Sequence, residues 1–473
     1  MTTLHNSPYC GSWYPDDPVE LKELLAKLFH DSETRTGAAV LPDGIAFVAP
    51  HAGLVYSGTV AAAVCRHLRA RQPKRIIIAG FSHSNDFAGI RIPQVSAYAT
   101  SAGETETDWR AMEYLSGGEP FHLAPEGVVC DHSVEIQLPL LKAAAPEARV
   151  VPLFVGRLSS QELDRAADRL ARILDAETVL LASSDFTHYG RAFGYLPFPN
   201  DRWTSEHLRD LDDDLIEAAG SLDVAFFEKE LRRTQATLCG RGPISLLLAV
   251  LHKLPGEEIF QEKLDYQTSG EITGDWGHSV SYAALGYFRQ QSFCLDEEDR
   301  RLLIDSARRT LATYDWGRSA TPVPPAVNTP ALSRKCGAFV SLHHKGRLMG
   351  CIGCREGADP LHASVPELAI STLHDPRFQP PTPQEVAEAD LEISVLTPMK
   401  RLPDPAHLQA GIHGAYLEAG GHQGLLLPQV ATEYGMNRDE FLRALTKKAG
   451  ASQDACHRPD SKLYVFQAQR FGG

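Results

Sequence analysis

Three apolar runs of strand length end in the same way, and this repeated ending constrains the chain more than any other feature. IAFVAP is followed by His51, IIIAG by Phe81, Ser82 and His83, and VLLASS by Asp185 and then His188. Runs of four to eight apolar residues bounded by turn signals read as buried strands. Ile45 to Val48, Arg75 to Ala79, Val150 to Val155 and Thr178 to Ala182 fit that description, with helical stretches between them such as Leu21 to Phe29, Ala61 to Arg69 and Gln161 to Leu174. Such alternation predicts an α/β domain around a central sheet, closed by a last strand over Ser279 to Phe288. In open α/β sheets ligands bind beyond the carboxyl ends of the strands. The endings therefore predict one crevice holding His51, His83 and His188, where imidazole serves as metal ligand or base.

Other residues have two open readings. Gly53 and Gly58 flank Tyr56 in PHAGLVYSG, and glycine there permits a tight turn and a close approach to a ligand. Cys239 precedes the apolar run PISLLLAVL, with Pro243 as its first helical residue. A thiol near a helix N-terminus is favoured as thiolate, the ligating form, although a free cysteine is commonly a small buried hydrophobe. In DHSVEIQLPLL, Asp131, His132 and Glu135 either line the crevice or cap a helix start.

The second part begins with Leu295 to Tyr314, whose apolar spacing predicts an amphipathic helix. The segment TPVPPAVNTP (Thr321 to Pro330) excludes regular helix. Strands are expected at Ala338 to Leu342 and Leu391 to Leu396, with a further apolar run at Gly424 to Pro428 and a helix over Arg438 to Ala449. Elements without regular alternation predict a smaller α+β domain, so the domains are expected at 1–290 and 291–473.

The chain has 473 residues and a net charge of −14, which argues against binding nucleic acid through phosphate contacts. Its N-terminus lacks a secretory pattern, and no apolar run has membrane-spanning length. Nine irregularly spaced cysteines do not form a disulfide framework. A cytoplasmic protein with no membrane or nucleic-acid partner is expected.

Taken in order, GSWYP, PHAGxxYSG, GFSH, DHSVEIQLPLL, SSDFTHYG, CGRGPI and SVSYAA resemble the Memo family over roughly residues 7 to 288. That resemblance implies the fold of class III extradiol dioxygenases, non-haem iron enzymes that open catechol rings. It implies metal ligands at His51, His83 and Cys239, and a catalytic His188 beside Asp185. Asp131, His132, Glu135 and Tyr56 would line the pocket. The expected function is a metal-dependent oxidoreductase of dioxygenase type, with Fe(II), acting on a small molecule or peptide. Because thiolate replaces the carboxylate usual at such iron sites, Cu(I) or Zn are the alternatives, in a redox-protective binding protein, a scaffold or a zinc hydrolase.

From roughly 295 to 470, LMGCIG, HDPRF, LEISVLTP, GIHG and GLLLPQVATEYGMNRDEFL resemble the AMMECR-type domain, with Met349 where that family usually carries arginine. Cys351, His374, Asp375 and Arg377 are the motif residues of interest, and Cys354 completes a CxxC. The fusion resembles the AmmeMemoRadiSam grouping, which implies a radical SAM protein as partner. The chain has no CxxxCxxC motif to hold that partner's type of cluster itself.

Overall fold

The computed structural model describes residues 3–125, 130–316 and 321–472. The described strands before residue 290 are β1 (Leu4–Asn6), β2 (Ala46–Ala49), β3 (Arg75–Gly80), β4 (Ile90–Pro93), β5 (Ala97–Thr100), β6 (Gly103–Glu106), β7 (Phe121–Ala124), β8 (Arg149–Val155), β9 (Thr178–Ser183), β10 (His188–Gly190), β11 (Ile259–Thr268) and β12 (His278–Arg289). Nine of them form one mixed sheet in the order β10-β12-β2-β9-β3-β8-β4-β7, with β11 paired to β12. The centre, β2-β9-β3-β8, is parallel. It is made of the continuous apolar runs, as expected of strands covered on both faces. Phe47, Val48, Ile76 to Ile78, Leu180 and Leu181 are wholly buried. Each such side chain stabilises the fold by about 1.5–3 kcal/mol relative to exposure.

Helices start where the sequence supplies caps. Asp17 accepts the N–H groups of Val19 and Glu20, and Pro18 opens the helix Pro18–Thr36. Ser159 and Glu162 form a capping box at Ser160–Ala171. Leu54–Arg71 packs on β2 and β12, and Arg241–Lys253 packs on β3 and β9. The latter helix buries Ile244, Leu246, Leu247, Leu248 and Val250, so little of it meets water. It begins at Arg241, which makes Pro243 its third residue rather than its first. Gly58 works differently from the expected turn or ligand approach: it lies inside Leu54–Arg71, and a Cβ there would meet Leu28 Cδ1 at 2.7 Å. Its role is close helix–helix packing.

The chain folds as two compact units, Met1–Arg289 and Gln290–Gly473. The second holds β13 (Ala338–His344), β14 (Arg347–Cys354), β15 (Asp390–Leu396), β16 (Lys400–Arg401), β17 (Gly414–Ala419), β18 (His422–Leu426), β19 (Lys462–Phe466) and β20 (Ala468–Gly472). Among the described residues these form two antiparallel sheets, β14-β13-β15-β20 and β16-β19-β17-β18. The helix Leu361–Thr372 packs on β13 and β14, and Arg438–Ala449 packs on β17 and β18. The architecture is α+β, with Thr321 to Pro330 outside any helix or strand.

Candidate metal centre

The sheet order places the carboxyl ends of β2, β9 and β3 side by side. His51 follows β2 by two residues, His83 follows β3 by three and Asp185 follows β9 by two, so parallel pairing alone gathers them. The strand β9 lies between the other two. A cavity of about 650 Å³ opens there, lined by His51, His83, His132, Asp185, His188 and Tyr56 among others.

His51 and His83 are each anchored through Nδ1. His51 Nδ1 lies 3.0 Å from Ser183 Oγ, and its Nε2 lies 3.2 Å from Cys239 Sγ. Burial and the neighbouring His83 pull the His51 pKa down to about 3, so the ring is neutral, as a metal ligand must be. His83 Nδ1 donates to Asp131 Oδ1 at 2.8 Å, and its backbone N–H donates to Asp131 Oδ2 at 2.9 Å. The Nε2 lone pair of His83 is thereby left for a ligand. His132 stacks on His83 with ring centres 3.9 Å apart. Burial, opposed in part by Asp131, takes the His132 pKa down to about 4.

Cys239 approaches from the turn before Arg241–Lys253. It accepts the Asp185 N–H at 3.1 Å, while the Gly240 N–H donates to Ser184 Oγ at 3.0 Å. Close approach requires glycine at 240, because a Cβ would stand 2.3 Å from Ser184 Cβ. The helix terminus does not make this thiol acidic, contrary to the expectation. Burial and the Asp185 carboxyl push it well above the usual thiol range, and the hydrogen bonds that stabilise thiolate do not compensate.

Two sets of potential ligand atoms, each mutually within 4.8 Å, share His51: His51, His83 and His132, and His51, Asp185 and Cys239. Neutral imidazoles with a thiol and a carboxyl suit a transition metal rather than magnesium or calcium.

Several expectations about the surrounding residues need correction. Asp185 and His188 both line the cavity, yet Asp185 is not what holds the His188 ring, the orienting role that the resemblance gave it. Its Oδ1 accepts the His51 backbone N–H at 2.7 Å. His188 Nδ1 is instead held by the carbonyls of Phe186 (3.0 Å) and Thr237 (2.9 Å). Two acceptors there require the hydrogen on Nδ1 and leave Nε2 as a base in the neutral ring. Asp131 lies behind the pocket, not on its wall. Burial would raise its carboxyl, but His83 and the Ser133 N–H hold it well below the usual range. Glu135 is wholly buried and pairs with His5 at 3.0 Å, away from the crevice. Asp131 instead caps the single-turn helix His132–Glu135, accepting the Ser133 N–H at 2.9 Å, the second of its two expected roles. Sequence reasoning missed Ser183, Thr237 and Trp13, whose ring lies 4.4 Å from that of His132. The order of motifs offered a signal for Trp13, which belongs to GSWYP, and for Ser183, which opens SSDFTHYG; nothing marked Thr237.

Residues 6–286 match the family described as Memo-like protein. The chain belongs to the Memo-like protein family. Residues 304–471 match AMMECR1. A MEMO1 family protein of Methanopyrus kandleri is 30% identical over 307 residues, covering 60% of this chain and 100% of the relative. A protein of Methanothermobacter thermautotrophicus is 39% identical over 184 residues, covering 37% of this chain and 95% of the relative. The crystal structure of an uncharacterized protein from Pyrococcus horikoshii shares 34% identity, covers 36% of this chain and 88% of its own, and has a TM-score of 0.33.

The Memo-like unit thus contains the crevice, and the AMMECR1 region carries its own polar cluster. Asp375 Oδ2 accepts the Cys351 N–H at 2.9 Å, and Arg377 Nε donates to Asp375 Oδ1 at 2.9 Å. Arg377 lowers the Asp375 pKa to about 2. His374 stands apart from this group, with Nε2 2.8 Å from Tyr314 Oη. Cys354, opposite Ala338 on β13, is half-buried. No helix among the described residues is long and apolar enough to cross a membrane.

Proposed function

We propose that the Memo-like unit is a non-haem iron oxidoreductase of dioxygenase type, with His51, His83 and Cys239 as metal ligands. The observation that carries this reading is the place of neutral His51, which meets the Cys239 thiol at 3.2 Å and shares a second set of ligand atoms with Asp131-anchored His83. Iron, when bound, would supply a redox centre accessible to O2 and substrate from the cavity. His188 takes a proton from a substrate hydroxyl through Nε2 and returns it, while the carbonyls of Phe186 and Thr237 hold its ring. Tyr56 and Trp13, on the cavity wall, present aromatic surface to a small molecule or peptide. The AMMECR1 region would assist recognition of substrate or of a radical SAM partner, in the cytoplasm.

The test is oxygen consumption by the anaerobically iron-loaded full chain, offered catechol-like and peptide substrates. Turnover is expected, and His188→Ala should abolish it while retaining the metal. Loss of iron from that variant would make His188 a ligand and contradict its assignment as base.

Cys239 itself favours a second reading. Thiolate is soft, which suits Cu(I) or Zn. Copper held without oxygen consumption would indicate a binding or protective protein, and zinc with hydrolytic turnover a hydrolase.

A further inference from the structure

Glu135 is the least expected residue of the Memo-like unit, being a wholly buried carboxyl with only half its acceptors used. Oε1 lies 3.0 Å from His5 Nε2, whereas Oε2 has no hydrogen-bond partner among the described residues. A buried carboxylate oxygen left unmet bears the full cost of its lost hydration. His5, Cys130 and Glu135 form a third set of ligand atoms mutually within 4.8 Å. It shares no residue with the two sets in the crevice. Cys130 is a free, half-buried thiol, and His5 is buried.

We infer that His5, Cys130 and Glu135 form a second metal site, for Zn2+. One nitrogen, one sulfur and one carboxylate oxygen are a donor set that zinc accepts and magnesium or calcium does not. In tetrahedral zinc, ligand atoms stand about 3.3–3.8 Å apart, as follows from its bond lengths. No pair in the group therefore needs to close by more than about 1.5 Å, while His5 and Glu135, 3.0 Å apart, open slightly as they exchange their hydrogen bond for the ion. Zinc would satisfy the carboxylate and leave a fourth position for water.

The site's position gives it consequences. His5 lies on β1, paired with Tyr98 on β5. Cys130 and Glu135 bracket Asp131 and His132, the residues that hold and stack on His83. Zinc here ties the N-terminal strand to the turn that shapes the first centre. The inference does not depend on the chemistry proposed for that centre.

Titration of the full Cys239→Ser chain with Co2+ as a zinc surrogate isolates the site's thiolate signal, because the crevice keeps its three histidines but has lost its thiol. Addition of Cys130→Ser should remove one equivalent of bound Co2+ together with its thiolate charge-transfer absorption. Glu135→Gln, which preserves shape, should weaken Zn2+ binding by about tenfold or more. Absorption and stoichiometry unchanged by Cys130→Ser would overturn the inference. Should the double variant fail to fold, alkylation of the Cys239→Ser chain gives the answer. Zn2+ should slow modification of the Cys130 peptide by about tenfold or more, and unprotected alkylation would overturn the site.

Discussion

At the scale of single residues, the centre depends on what holds each ligand as much as on the ligands. Asp131 secures His83 twice, through the ring and through the backbone. Asp131→Asn keeps the shape but loses the charge that favours Nδ1–H. Metal affinity measured by calorimetry should fall by about 10- to 100-fold, while the fold persists. An unchanged affinity would remove His83 from the ligand set. His51, His83 and Asp185 were legible in the sequence because a buried strand followed by a polar residue is a local pattern. Cys239 was legible only through family resemblance, since its approach depends on a helix far along the chain. Glu135 was misplaced because sequence spacing does not reveal that its partner is His5, 130 residues away.

At the scale of elements, the junction between β9 and Arg241–Lys253 sets the position of the thiol. Ser184 and Gly240 meet so closely that any side chain at 240 displaces one of them. Gly240→Ala should destabilise the chain by about 1–3 kcal/mol in urea unfolding and weaken metal binding with it. Full affinity at wild-type stability would show that the junction yields freely and does not position Cys239. Strands were the most readable elements, since continuous burial leaves continuous apolar runs. Pairing order was not readable. That β9 inserts between β2 and β3 follows from crossover connections, which the strand sequences do not encode individually.

At the scale of the whole molecule, the crevice couples stability to pH. His51 and His132 titrate in the fold near 3 and 4, below about 6.5 for an unconstrained imidazole. The unfolded chain therefore binds these protons first as the pH falls. Their contribution is full above about pH 6.5 and is lost on acidification toward pH 4. The metal-free protein should unfold at lower urea concentration at pH 5 than at pH 7, with a smaller difference in His132→Gln. Equal pH dependence in the two proteins would mean that His132 is not held neutral. The division into an α/β part and an α+β part was readable from the change in alternation, whereas the two separate sheets of the second unit were not, because its short strands resemble loops.

The central claim, a metal held jointly by imidazole and the Cys239 thiolate, is tested most directly by X-ray absorption at the iron edge. The sample is the full chain carrying Cys130→Ser and one equivalent of Fe(II), loaded anaerobically. The account predicts an imidazole shell together with one sulfur at about 2.3 Å, the usual distance for a thiolate ligand, and loss of that sulfur on adding Cys239→Ser. A spectrum without sulfur, or one unchanged by Cys239→Ser, would contradict it.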